Sequence, residues 1–170
     1  MKQRAEKQNQ KMTSLARKTL MALTGLFLCV FLAVHLLGNL QLFLPESQAQ
    51  QQFNWYASFL SELPIIEVAA YLTYICVLAH SIIAAVIAVR NRRSIGAGYR
   101  DQAPQKLAPW HSRFMGVLGA IILLFLIVHM SDFWFPFKTG ADIGVDSEGH
   151  RDLYGLVVTE FQKGWKVILY

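Results

Sequence analysis

The chain has 170 residues, of which 54% are hydrophobic and 16% are charged, and its formal net charge is +5. Soluble globular domains average about 45–50% apolar and about 25% charged residues, so this composition argues against a soluble domain. The positive charge is concentrated in two segments that flank apolar runs, so it indicates membrane topology and implies no nucleic-acid partner.

Three long apolar runs follow one another along the chain, at residues 19–44, 65–89 and 114–131. Together they contain a single acidic residue, Glu67, and no lysine or arginine. At about 1.5 Å rise per residue each run can cross the roughly 30 Å hydrocarbon core. The sequence therefore predicts an all-α transmembrane bundle with three full spans. The chain becomes apolar again from Trp165, which indicates the start of a fourth membrane helix.

The first run begins after a polar lead, residues 1–18, in which Thr13 or Ser14 is a candidate N-cap. The run is too long for a cleaved signal peptide and lacks a small-x-small cleavage site, so we expect a retained helix. Residues 19–132 form the predicted three-helix core. Residues 133–170 are expected to be an outer segment followed by the start of the fourth helix.

The distribution of cations predicts the orientation. Segment 1–18 and segment 90–113 each carry six Lys or Arg residues, whereas segment 45–64 between the first two runs carries none. By the positive-inside rule the N-terminus and the second connection are cytoplasmic. Segment 45–64 is then an outer loop, and its aromatic residues suit a short helix at the membrane interface.

Three of the five histidines, His35, His80 and His129, lie inside the predicted spans, where polar residues are functional candidates. His35 is 17 residues beyond Lys18 and His129 is 16 residues beyond Arg113. Both lie about 24–25 Å from the cytoplasmic end, in the outer half of the bilayer. His80 is 10 residues before Arg90, hence only about 15 Å from the cytoplasmic face.

Two histidines at one depth on separate helices suit the two axial positions of a haem iron. A direct histidine-to-histidine hydrogen bond would also place them at one level, so both interpretations remain open here. Gly25, Gly38, Gly116 and Gly119 on the same helices provide room for a planar ligand or for ordinary close packing. The sequence offers no cysteine or carboxylate cluster for zinc.

The segments "KTLMALTGLFLCVFLAVHLLGNLQLF", "FNWYASFLSELPIIE", "LAHSIIAAVIAVRNRR" and "FLIVHMSDFWF" resemble the dihaem cytochrome b subunit of succinate dehydrogenase and fumarate reductase. The resemblance covers nearly the whole chain after residue 13. It implies a five-helix membrane anchor that holds two b haems through axial histidines. Carried over to this chain, His35 and His129 ligate the outer haem and His80 is one ligand of the inner haem.

The resemblance is incomplete at the C-terminal end. Only the first turns of the family's fourth helix, without its histidine, have a counterpart within these 170 residues, in "GWKVILY", and the fifth helix has none. Either the chain is truncated or the complex supplies the missing ligand in another way. The outer pair of histidines is complete, and the second ligand of the inner haem is missing.

The resemblance further implies a subunit of an enzyme, succinate:quinone oxidoreductase, in the bacterial cytoplasmic membrane. It would relay electrons between membrane quinone, usually menaquinone, and a flavoprotein and iron-sulfur pair on the cytoplasmic side. The dicarboxylate chemistry then lies on those other subunits. Weak candidates for quinone contact at the outer mouth are Asn39, Gln41 and Asp132. Weak candidates for contact with haem propionates or with the iron-sulfur subunit are Arg90, Arg93, His111 and Arg113.

Two other functions fit the same pattern. One is the cytochrome b subunit of a hydrogenase or formate dehydrogenase, which is also a haem-bearing helical anchor. The other is a membrane scaffold or assembly protein without a cofactor, in which the histidines form hydrogen bonds between helices.

Overall fold

In the computed structural model the backbone is described for residues 2–94, 110–140 and 143–170, and the side chains for residues 15–90, 110, 114–140 and 143–170. The described residues form helices and no β-strand. Three helical stretches are long and apolar enough to cross a membrane, at Leu15–Phe43, Pro64–Arg90 and Phe114–Thr139. The predicted all-α, multi-pass membrane fold is therefore confirmed.

The first half of the chain contains two of these membrane helices and a shorter helix between them. Helix α1 spans Lys2–Asn39 and ends in a 3₁₀ turn, Leu40–Phe43. Helix α2 spans Glu46–Glu62. Helix α3 spans Pro64–Ser94, and its first residue is a proline, whose fixed φ and missing N–H suit the first turn of a helix.

The second half contains the third membrane helix and two short C-terminal helices. Helix α4 spans Trp110–His129 and continues through a π-helical turn, Met130–Trp134, into helix α5, Phe135–Thr139. Gly140 ends α5 with a left-handed φ of 69°, which a glycine adopts without steric cost. Helices α6, Leu153–Phe161, and α7, Gly164–Leu169, follow after an irregular segment.

Two helix boundaries differ from those predicted. Helix α1 begins at Lys2 and includes Thr13 and Ser14, so neither residue caps it. The residues before Thr13 are mostly good helix formers, which allows the membrane helix to extend through them. The third span continues beyond Ser131 to Thr139, because the residues after Asp132 are again apolar.

The described chain forms two compact units, residues 1–30 with 72–120 and residues 31–71 with 121–170. Buried side chains of the first unit include Thr24, Thr73 and Cys76. Buried side chains of the second unit include Ala49, Phe53, Asn54 and Lys166.

Helix α2 organises the second unit by packing against α6 and against the 3₁₀ turn. Its buried face carries Ala49 and Phe53. The ring of Tyr56 lies against Gly38, where an added Cβ would come within 3.1 Å of it. The opposite face exposes Trp55 and Phe59, whose rings stack 5.3 Å apart. Such an amphipathic helix between two membrane spans suits the headgroup layer.

Candidate functional site

The second unit brings His35 of α1 and His129 of α4 into contact. Their ring centroids are 5.9 Å apart and the ring planes are nearly perpendicular, at 85°. Within the described part of the chain, neither imidazole donates or accepts a side-chain hydrogen bond. The sequence left open a direct hydrogen bond between the two histidines. The described contacts do not include it.

The spacing of the two rings fits a shared iron. Metal–imidazole bonds are about 2.0–2.1 Å long, so two histidines on opposite sides of one iron have ring centres about 6 Å apart. The observed 5.9 Å agrees with that separation. A plain edge-to-face contact between rings also falls within about 4.5–7 Å, so the spacing fits haem ligation without requiring it.

Other metal chemistry has less support in the described residues. Among them, no group of three or more His, Cys, Asp or Glu side chains is placed to hold a metal ion. Two axial imidazoles suffice for a haem, because the macrocycle supplies the other four ligands.

His80 lies in the first unit and is held by a threonine on α1. The Thr24 hydroxyl donates to the carbonyl oxygen of Leu20 at 2.8 Å and lies 3.1 Å from Nδ1 of His80. When the Thr24 hydroxyl donates its hydrogen to Leu20, it can accept the hydrogen of Nδ1 in the His80 tautomer that is protonated there. In that tautomer Nε2 carries the lone pair, as in a metal-ligating histidine whose other nitrogen is hydrogen-bonded.

The four glycines singled out in the sequence have different surroundings. A Cβ on Gly25 would lie 3.1 Å from Cε1 of His80, so this glycine lets the imidazole approach α1. The space beside Gly38 is filled by Tyr56. At Gly116 and Gly119 an added Cβ would meet no described atom within 4 Å, so α4 has open surface there.

Two of the weak quinone candidates make hydrogen bonds within their own helix end. The Asn39 side-chain amide donates to the carbonyl oxygen of His35 at 2.7 Å. The Gln41 amide donates to the carbonyl oxygen of Gly38 at 3.2 Å. Each amide group has two hydrogens, so one donor on each side chain remains for another acceptor.

Asp132, the third candidate, belongs to an ionic network with α6 and α7. One of its carboxylate oxygens lies 2.5 Å from Nζ of Lys166, and the other accepts a hydrogen bond from the Tyr170 hydroxyl at 2.9 Å. Lys166, which is only 6% exposed, also lies 2.8 Å from Glu160. Lys163 completes the network at 2.6 Å from Glu160, and hydrogen bonds from the two lysines lower the pKa of Glu160.

A second polar cluster holds the irregular segment before α6 to α2. Asn54 is fully buried and donates to Asp152 at 2.9 Å and to Asp146 at 3.2 Å. Its side-chain oxygen accepts the backbone N–H of Tyr154 at 2.9 Å. Asp152 also caps α6 by accepting the backbone N–H of Gly155. The side-chain amide of Asn54 thus connects α2 to the start of α6.

Of the cationic candidates, Arg90 lies at the end of the second span and is exposed. The side chains of Arg93, His111 and Arg113 lie outside the described residues. Their predicted contacts with propionates or an iron-sulfur subunit stay predictions.

Sequence reasoning missed Thr24, Asn54 and Lys166. Thr24 carries no signal in sequence, because threonine is common in membrane helices. Lys166 does carry a signal in the sequence. A single lysine inside "GWKVILY" interrupts an apolar stretch, and a charge in such a stretch requires a partner. Asn54 likewise lies among aromatic residues of an amphipathic segment.

No known protein family, curated protein or solved structure matches the chain. Its function is therefore inferred from the residues, their geometry and the resemblance noted in the sequence.

Proposed function

We propose that this chain is the haem-bearing membrane anchor of a succinate:quinone oxidoreductase. The observation that carries the proposal is the pairing of His35 and His129 from two membrane helices, at 5.9 Å and 85°. Each histidine would supply one axial nitrogen to a b haem. Such a haem has no open iron position and supplies electron transfer only.

The proposal includes a second haem with His80 as one ligand. Its support is the 3.1 Å contact between the Thr24 hydroxyl and Nδ1 of His80, which is compatible with the tautomer that leaves Nε2 for a metal. Gly25 permits the close approach of the ring to α1.

The remaining parts of the proposal concern the surroundings of the chain. The flavoprotein and iron-sulfur subunits would bind at the cytoplasmic side, where the Lys and Arg residues of segments 1–18 and 90–113 are concentrated. The membrane would be a bacterial cytoplasmic membrane, with the N-terminus inside.

Quinone, for which menaquinone is the expected form, would bind at the outer mouth near Asn39, Gln41 and Asp132. The ionic network adds a donor there. Lys166 has three N–H hydrogens and is paired with two carboxylates, Asp132 and Glu160, so a third hydrogen can be donated to a quinone carbonyl.

A visible spectrum of the complex purified from membranes tests the proposal. We expect a reduced-minus-oxidised α band of b type. His129→Ala should abolish the outer haem signal and spare any inner haem signal, because it removes one of two axial ligands. His150→Ala is the matched control, since His150 lies in the irregular segment between α5 and α6.

Two results would count against the proposal. Absence of any α band from the fully expressed complex would favour a scaffold protein without a cofactor. Survival of both haem signals in His129→Ala would show that the histidine pairing is wrong.

A further inference from the structure

The two paired histidines occur in the same local sequence. His35 ends the stretch "FLAVH", residues 31–35, and His129 ends "FLIVH", residues 125–129. In both, a phenylalanine precedes the histidine by four residues, a spacing that places two side chains on the same face of a helix. Phe31 and Phe125 are therefore equivalent neighbours of the two imidazoles.

The structure shows the same stacking at both positions. The Phe31 and His35 rings have centroids 5.5 Å apart and an interplanar angle of 22°. The Phe125 and His129 rings are also 5.5 Å apart, with an interplanar angle of 20°. Each imidazole thus lies nearly parallel to the phenyl ring one turn earlier on its own helix.

Stacking of this kind restricts the χ2 torsion of the histidine side chain. The χ2 angle of histidine is broad, so the helix backbone alone does not fix the plane of the ring. The other described rings near His129 are inclined to it, Phe133 at 56° and Tyr170 at 68°. The nearly parallel partner of each histidine is its own phenylalanine.

We propose that Phe31 and Phe125 are positioning residues that hold the two imidazole planes at right angles across the iron. The inference rests on the proposed function, in which both histidines ligate one haem. The 85° angle between the imidazoles then follows from the orientation of the two phenyl rings.

The angle between axial planes has an electronic consequence. Parallel imidazoles split the iron d orbitals that have π symmetry, whereas perpendicular imidazoles leave them nearly equal in energy. A ferric low-spin haem with perpendicular ligands therefore gives one strongly anisotropic low-field resonance, and parallel ligands give a resolved rhombic spectrum. The orientation of the axial ligands is one of the means by which a protein adjusts the electronic properties of its haem.

Electron paramagnetic resonance of the oxidised complex tests the inference. We expect the outer haem of the unmodified protein to give the single low-field line. Phe31→Leu and Phe125→Leu keep an apolar side chain but remove the flat ring, so each should shift the line toward the rhombic pattern. Phe31→Tyr and Phe125→Tyr keep the ring and should retain the original line.

Phe43→Leu is the control for loss of a phenylalanine from the same span. Phe43 is 87% exposed, and in the described structure it stacks on neither histidine. Its variant should have the unmodified spectrum.

The outcomes separate the inference from the proposed function. Haem present with a line unchanged in both leucine variants would overturn the inference and leave the proposed function standing. Absence of haem from the unmodified complex would overturn both. If a leucine variant loses the haem, retention of the signal in the matching tyrosine variant supports positioning, and loss in both overturns it.

Discussion

Lys166 is the residue at which burial and charge conflict most strongly. A cation removed from water is costly unless it is paired and hydrogen-bonded. Lys166 is 6% exposed and reaches Asp132 at 2.5 Å and Glu160 at 2.8 Å, so two carboxylates compensate one ammonium. The network joins the end of the third span to both C-terminal helices.

Replacing Lys166 by methionine should therefore destabilise the second unit. Breaking a buried ion pair by removing one partner costs about 3 kcal/mol or more, because the remaining charge is left uncompensated. The measurement is equilibrium unfolding of the purified protein in detergent.

Lys163→Met provides the comparison. Lys163 also pairs with Glu160, but its side chain is 44% exposed, and exposed pairs contribute about 1 kcal/mol or less. Equal losses of stability in the two variants would contradict the role assigned to the buried network.

The histidines show which part of a site can be predicted from sequence. His35, His80 and His129 are predicted site residues because an imidazole within an apolar run is conspicuous, and the equal depth expected for His35 and His129 agrees with the contact of their rings at 5.9 Å. The partners of Lys166 could not be predicted in this way. Asp132 and Glu160 lie 34 and 6 residues before it, and their approach depends on how α6 and α7 return to the end of α4.

At the scale of elements, polar contacts connect the irregular segment before α6 to α2. Asn54 uses both amide hydrogens and its oxygen to bind Asp146, Asp152 and the backbone of Tyr154. Asp146 further accepts the backbone N–H groups of Glu148 and His150, both at 2.9 Å. Ionised carboxylates are thus part of the fold of this segment.

This segment should consequently loosen in acid. Burial opposes ionisation of Asp146 and Asp152, but the hydrogen bonds that they accept outweigh it and lower the pKa of each below the ordinary 3.8. A carboxylate with a lowered pKa stabilises the fold above its ordinary pKa, and the contribution is lost as the pH falls through the lowered value.

We expect the backbone amides of residues 143–155 to lose protection from hydrogen exchange below about pH 4, while those of α3 keep theirs. In Asn54→Ala the loss should begin at higher pH, because both carboxylates lose a donor. Unchanged protection of residues 143–155 at pH 3 would show that apolar contacts are sufficient.

Element boundaries were less predictable than the elements themselves. The three membrane helices followed from hydropathy alone. The π-helical turn at Met130–Trp134 did not, because the hydropathy pattern does not distinguish a π turn from an α-helical turn. The turn directly follows His129 and contains Asp132. It therefore links one of the paired histidines to a carboxylate of the ionic network.

At the scale of the whole molecule, the chain is a multi-pass membrane protein with strongly unequal loops. Segment 45–64 carries no Lys or Arg, and segment 90–113 carries six. By the positive-inside rule we expect the N-terminus and the second connection to lie in the cytoplasm.

Cysteine labelling of intact cells tests this orientation. In a background with Cys29 and Cys76 replaced by alanine, a membrane-impermeant maleimide should label Ser47→Cys and Ser147→Cys. Ala97→Cys should react only after lysis if segment 90–113 is the cytoplasmic connection, as its Lys and Arg residues predict. The reverse pattern would invert the topology and place the paired histidines near the cytoplasm.

The ionic network at the end of the third span also has an electrical consequence. Two lysines face two carboxylates, Lys163 and Lys166 with Asp132 and Glu160, so their formal charges sum to zero. A transmembrane voltage acts on net charge, at about 2.3 kcal/mol per elementary charge for each 100 mV. A neutral group feels no net force from it. We therefore expect this network to keep one arrangement in both energised and de-energised membranes.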